Sequence, residues 1–112
     1  MRTDTEEFME ALSDLDRALD QTIDMAGRMK ERIEELRKAT SERRPLREVV
    51  SAEQRPLIVQ LVTESTNLLH IYGNRVRKTE ALALHHEGMT MDEIGKLFCV
   101  TRQRVSALLR DY

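Results

Sequence analysis

Between residues 94 and 110 the chain carries Lys96, Arg102, Arg104 and Arg110 and no acid. Gln103, Ser106 and Ala107 are interleaved with them. At about 100° per residue, a helix starting at Arg102 places Gln103, Ala107 and Arg110 on one face. Ser106 and Arg104 flank that face, and Arg102 stands at its amino-terminal end. These side chains suit the reading of base edges in a major groove. A Gln amide pairs bidentately with adenine, an Arg guanidinium with guanine, and an Ala methyl meets the thymine methyl. Lys96 and Arg104, with the hydroxyls of Thr90 and Thr101, are placed for phosphate oxygens, which fix position without reading sequence. The competing reading is a solvated helix face with ordinary surface arginines, so the elements that carry these residues decide.

Those elements are marked by local signals. Thr90-Met91-Asp92-Glu93 has the S/T-x-x-E form of a capping box and predicts a helix running to about Phe98. Thr101 is a fresh N-cap for a helix from Arg102 to about Arg110. Upstream, a helix from Arg75 to Glu87 is expected to end at Gly88, a good residue just past a helix terminus. Two short helices joined by a tight turn, with a third behind them, make a helix-turn-helix. Ile94, Phe98, Val100, Val105 and Leu108 are expected to form its small core. Gly95 is expected where the two helices cross, where a side chain would push them apart.

Residues 89–110, MTMDEIGKLFCVTRQRVSALLR, resemble the helix-turn-helix of region four of bacterial sigma factors and of related small regulators. Ile94-Gly95, Leu97-Phe98, Val100-Thr101-Arg102 and Arg104-Val105 carry the resemblance, which covers roughly a third of the chain. It implies that the last helix reads promoter DNA through Arg102, Gln103, Ser106, Ala107 and Arg110. It also implies RNA polymerase as a further partner. The family usually has Gly where this chain has Cys99, so a positive φ at that turn would carry a backbone cost. With no other sigma-factor region in the chain, a complete sigma factor is not expected.

The rest of the chain must position this module. Phe8, Leu12, Leu15, Leu19, Thr22, Ala26, Met29, Ile33 and Leu36 alternate by four and three residues. This heptad seam puts Leu12, Leu19, Ala26 and Ile33 at a, and Phe8, Leu15, Thr22, Met29 and Leu36 at d. It predicts one long helix over 1–40 that cannot bury its stripe alone. Packing on its own chain is one solution; the reading preferred here is a homo-oligomeric coiled coil, a dimer. Residues 41–56 hold both prolines and read as a connector with an extended or turn segment around Leu46 to Val50. Ser51 and Gln54 there form a candidate capping box. Residues 57–73 read as an apolar middle helix ending in a kink or break at Gly73-Asn74, and 74–112 as the DNA-binding domain. The expected fold class is therefore all-α: a long coiled-coil helix, a middle helix and a three-helix module.

Composition excludes several other classes. The chain has 112 residues, of which 34% are charged and 4% aromatic, which disfavours a deep catalytic core or a ligand pocket under the middle helix. Cys99 is the single cysteine, so neither an intrachain disulfide nor a CxxC zinc site is available. It reads as a small hydrophobe in preference to a redox sensor. His85 and His86 are adjacent on a helix and diverge too far to chelate one ion. With His70 they read as surface or half-buried residues. No phosphate loop, HExxH or Ser/His/Asp arrangement is evident. No enzymatic activity, metal or cofactor is expected. No apolar run exceeds four residues, so neither a membrane span nor a secretory signal is expected. The expected setting is the bacterial cytoplasm, associated with the nucleoid.

The net charge of −2 conceals an uneven distribution. Residues 1–27 carry eight acids against Arg2 and Arg17, giving −6, whereas residues 28–44 carry seven bases against four acids, giving +3. The function these features predict is sequence-specific binding of double-stranded DNA by a homodimeric transcriptional regulator. The alternative is a non-enzymatic adaptor that holds RNA polymerase or another protein through the same module and the coil.

Overall fold

The computed structural model describes residues 1–110; the final two residues of the expected domain 74–112 lie outside this range. The fold is all-α, with five helices among the described residues: α1 (Asp4–Ser41), α2 (Leu46–Ser51), α3 (Ile58–His86), α4 (Met91–Phe98) and α5 (Arg102–Arg110). The molecule is elongated, 61 × 28 × 19 Å. Its length comes from α1, which Thr3 caps by accepting from the Glu6 N–H at 3.1 Å. Asp4, Glu6 and Glu7 in the first turn favour the positive end of the helix dipole.

α1 and α3 form an antiparallel hairpin. Asp4 at one end meets His86, with Oδ2 2.5 Å from Nδ1. Further along, the Asp14 carboxylate meets Arg75, and Ser65 Oγ lies 3.6 Å from Met25 Sδ. At the far end Arg32 reaches the segment before α3. The buried positions of α1 are Ala11, Ala18, Met25 and Arg32, each seven residues from the last. Phe8, Leu15, Thr22, Met29 and Leu36 are half-buried between them. The long helix thus has the expected 3–4 repeat, but the d row of Phe8, Leu15, Thr22, Met29 and Leu36, expected to join two copies, packs on this chain's own α3 instead.

The expected a row does not lie there. Leu12, Leu19 and Ala26 are exposed and Ile33 is half-buried, because the seam runs through the residue preceding each of them. Ala11 and Ala18 let the two backbones approach closely, which bulkier leucines in that row would prevent.

Two further expectations are corrected. Gly73-Asn74 is not a break: α3 runs through it without interruption. Glycine's helical penalty of about 1 kcal/mol is small beside the packing of α3 on both α1 and the carboxyl-terminal helices. Leu46 to Val50 is not extended but forms most of α2, with the Glu48 and Val49 N–H groups donating to the Pro45 carbonyl. Ser51 ends α2 and makes no capping box with Gln54. The box-like contact of α3 comes instead from Gln60 Oε1, which accepts from the Leu57 N–H at 2.7 Å.

Arg32 locks the connector to the hairpin. Its buried guanidinium donates to the carbonyls of Gln54 and Pro56, the latter at 2.9 Å, and meets Glu53 Oε2 at 3.2 Å. The same Glu53 oxygen accepts the Ile58 N–H at the start of α3, at 2.5 Å. One ion pair therefore fixes where α3 begins. No helix among the described residues is long and apolar enough to cross a membrane.

Candidate nucleic-acid interface

The carboxyl-terminal module is built by the end of α3 with α4 and α5. Its core is Ala81, Ile94, Val105 and Leu108, all buried, with Leu84, Met89, Met91, Phe98 and Leu109 packed around them. Val100, expected in this core, is 39% exposed. It follows the turn and faces outward, so the last turn of α3 completes the core in its place.

Each junction is closed by its own hydrogen bonds. At the end of α3, Gly88 adopts φ +108°, and the Met89 N–H donates to the Leu84 carbonyl at 3.1 Å. At the start of α4, Thr90 Oγ1 accepts the Glu93 N–H at 3.2 Å, and Glu93 Oε1 accepts the Thr90 N–H at 3.0 Å. That bond to the Glu93 carboxylate, with the positive Lys96 nearby, holds the carboxyl below the ordinary carboxylate range. Before α5, Thr101 Oγ1 accepts the Arg104 N–H at 3.1 Å.

The turn between α4 and α5 is a Schellman motif. The Val100 N–H donates to the Gly95 carbonyl at 2.9 Å and the Cys99 N–H to that of Lys96 at 3.4 Å. Cys99 takes the left-handed conformation, φ 57° and ψ 41°. The residue that stands where the resemblance has Gly thus adopts a backbone that Gly would adopt without steric cost. Its thiol is exposed, so Cys99 is not the packed small hydrophobe expected of it. Gly95 is buried, and a Cβ there would sit 2.9 Å from the Val100 carbonyl oxygen. The glycine makes room for the turn's backbone more than for a helix crossing.

This scaffold presents Arg102, Gln103, Arg104 and Arg110 to solvent along α5, with Ser106 and Ala107 half-buried beside them and Val105 and Leu108 turned inward. Lys96 in the last turn of α4 and Thr101 at the start of α5 are exposed beside them, and Thr90 is exposed at the opposite end of α4. The nine residues singled out for base and phosphate contact therefore occupy one continuous α4–α5 unit. The hydroxyls of both threonines accept cap bonds and keep a proton to donate. Arg102 Nη1 lies 3.9 Å from Asp92 Oδ2, with both side chains well exposed, so the pair is weak and leaves the guanidinium available.

A second surface adjoins this face. Arg77, Glu80, Leu97, Phe98, Val100, Arg104 and Leu108 line an open cleft beside the turn. Leu97 is 61% exposed there. No sequence signal marks the cleft, because Leu97, three residues after the buried Ile94, reads as another core position. His85 Nδ1 lies 3.0 Å from the Met89 carbonyl, and His86 contacts Asp4, so these two histidines serve the packing of helix ends. No protein-family model, curated protein or solved structure matches this chain.

Proposed function

We propose that this protein is a sequence-specific, double-stranded DNA-binding transcriptional regulator that acts as a homodimer through its carboxyl-terminal helix-turn-helix. The observation that carries the reading is the division of α5. Val105 and Leu108 anchor it in a capped three-helix module, while Arg102, Gln103, Arg104 and Arg110 are exposed on a stretch without acids. Gln103 and Arg110 read bases, joined by Arg102, Ser106 and Ala107; Lys96 and Arg104 hold phosphates, with Thr90 and Thr101 beside them. The setting in this reading is the bacterial nucleoid.

Selection of bound duplexes from a random pool by the full chain tests this. Enrichment of a motif, with affinity falling steeply as salt rises, is the expected result. Absence of enrichment, with binding no stronger at low salt, would exclude the reading. Gln103→Ala then relaxes preference at one base pair, by about 1–3 kcal/mol, while Lys96→Ala weakens all sequences alike and flattens the salt slope.

A second reading has its own observation. The exposed Leu97 and Val100 beside Arg77 and Arg104 suit a protein ligand better than a duplex. An adaptor holding RNA polymerase or another protein through this cleft would show weak salt dependence, and Leu97→Ser would weaken it while leaving duplex binding intact.

A further inference from the structure

The hairpin has two unlike sides. In an antiparallel helix pair, the residues that follow each seam position all fall on the same side of the pair, because reversing a helix and reversing its facing direction cancel. On α1 these residues are Met9, Leu12, Asp16, Leu19, Ile23, Ala26, Lys30 and Ile33; on α3 they include Val59, Val62, Thr66, Leu69, Gly73 and Val76. Ile23 is 69% exposed, Val59 63%, Met9 56% and Val62 50%. The residues that precede each seam position form the opposite side. On α1 they are Glu10, Asp14, Arg17, Gln21, Asp24, Arg28 and Glu31, without a single apolar member. On α3 they include Gln60, Glu64, Asn67 and Asn74, with Ile71 the exposed aliphatic among them, so this side is the more polar of the two.

We propose that the apolar side binds a second copy of this chain, with α1 antiparallel on α1 and α3 antiparallel on α3, as a four-helix bundle. It deepens the homodimer part of the reading above by giving it a surface and a register. Three observations choose this occupant and this orientation.

The first is self-complementarity. Met9 with Ile33, Leu12 with Lys30, Asp16 with Ala26 and Leu19 with Ile23 all share one midpoint, residue 21. A twofold axis there sets each against its counterpart in the second copy. Met25 lies level with Ser65, so Gln21 lies level with Leu69. The same axis therefore brings Leu69 onto Leu69 of the second copy and Val62 onto its Val76. On α3 the match is confined to the row of Val62, Leu69 and Val76.

The second observation is charge. About that axis residues 1–14, at −4, lie along residues 28–41 of the other copy, at +2, while residues 15–27, at −2, lie along their own counterparts. It leaves Asp16 one helical turn from Lys30 of the second copy, on both sides of the axis. A parallel pairing would stack the acidic halves and set Asp16 on Asp16. The third is area. Residues 9 to 33 span about 36 Å at 1.5 Å per residue, and two helices are about 20 Å wide, a footprint of about 700 Å². That matches the roughly 800 Å² per partner of a stable interface.

Light scattering on the full chain tests the surface. The expected mass is twice the 13.0 kDa of one chain. Ile23→Asp should halve it with helical circular dichroism unchanged, since the side chain is already solvent-facing in the single hairpin. Gln21→Asp adds the same charge on the polar side and should leave the dimer intact. A monomeric wild type, or an Ile23→Asp protein of dimeric mass, overturns the proposal. Register is read by Leu69→Cys in a Cys99→Ser background. Oxidation should link two copies through position 69, and a dimer that does not link has a different orientation. Failure here is separable from failure of DNA recognition: a dimer that selects no duplex refutes only the latter, and a monomer that selects one refutes only the former.

Discussion

The α1–α3 hairpin and the carboxyl-terminal module use their apolar residues in opposite ways. The module closes a core of large aliphatics, with Ile94 and Val105 fully buried and Leu108 nearly so, and leaves Leu97 and Val100 exposed at its cleft. The hairpin buries Ala11, Ala18, Met25 and Arg32 from α1 and leaves Leu19, Ile23, Val59 and Val62 in water. Beside the fully buried Leu61 of α3, the alanines of α1 add little transfer free energy, since burial contributes in proportion to the apolar area removed from water. The module can therefore stand as a finished core, whereas the hairpin relies on specific polar contacts and presents its larger side chains elsewhere. Substitutions should expose that difference.

The largest effect is expected at Arg32. Arg32 and Glu53 have side chains 8% and 3% exposed, and both serve the start of α3. Arg32→Leu leaves the Glu53 carboxylate buried without its cation and should cost about 3–5 kcal/mol in urea unfolding. The double variant Arg32→Leu/Glu53→Leu should recover much of that, because two apolar groups replace the pair. If Arg32→Leu alone is neutral, the hairpin does not depend on this contact.

Glycines sharpen the comparison, because the same substitution should change sign between regions. Gly95→Ala in the module forces a methyl against the Val100 carbonyl, which as backbone cannot step aside, and should destabilise by about 1–3 kcal/mol. Gly27→Ala in the hairpin meets nothing within 4 Å and should stabilise α1 by about 0.5–1 kcal/mol. Thermal melts of the two variants beside the parent check both signs. Equal signs would mean that the turn yields at Gly95 or that α1 is distorted at Gly27.

The two regions also differed in how legible they were. In the module every boundary is written locally except the start of its first helix, expected at Arg75, where α3 in fact runs on from Ile58. Thr90 with Glu93, Gly88 and Thr101 each act on backbone groups within a few residues, and all three helices start or stop where these signals lie. Even the left-handed Cys99 was foreseeable from the residue expected at that turn. The hairpin was legible only in its repeat. Leu12 and Leu19 look like seam residues and Ala11 and Ala18 do not, yet the alanines are the buried ones. Leu15 and Leu19 sit four residues apart and serve different faces. Arg32 carries no signal of its buried role, because the Glu53, Gln54 and Pro56 groups that hold it lie 21 to 24 residues away and only the exposed Glu35 is near in sequence. Gly73 looked like a break because its penalty is local while the packing that outweighs it is not.

Cys99 offers a smaller test within the module. A non-glycine residue in left-handed conformation costs about 1 kcal/mol. The thiol is exposed, so little packing is lost on its removal. Cys99→Gly should therefore raise the melting temperature under reducing conditions, with a gain of about 1 kcal/mol. A fall would mean that the side chain packs against the turn.

The smallest effect is expected at Glu93, and it separates the regions by pH. Its carboxyl is held below the ordinary range by the Thr90 N–H, then by the Thr90 hydroxyl, then by Lys96. A carboxyl depressed in the folded state stabilises the fold above its unfolded pKa, and this contribution fades as pH falls through the folded value. Glu93→Gln keeps an acceptor for the Thr90 N–H but cannot titrate. The stability difference between parent and variant should thus be constant above about pH 5, where the unfolded carboxyl is already ionised, and shrink toward zero as acid protonates Glu93. Glu93 is exposed, so salt should damp the Lys96 part of the difference and leave the Thr90 part. The measurement is a pair of melts at several pH values, following the module's own amide signals by NMR. A difference that instead grew in acid would mean that folding raises the Glu93 pKa, so that the Thr90 N–H is not what governs its ionisation.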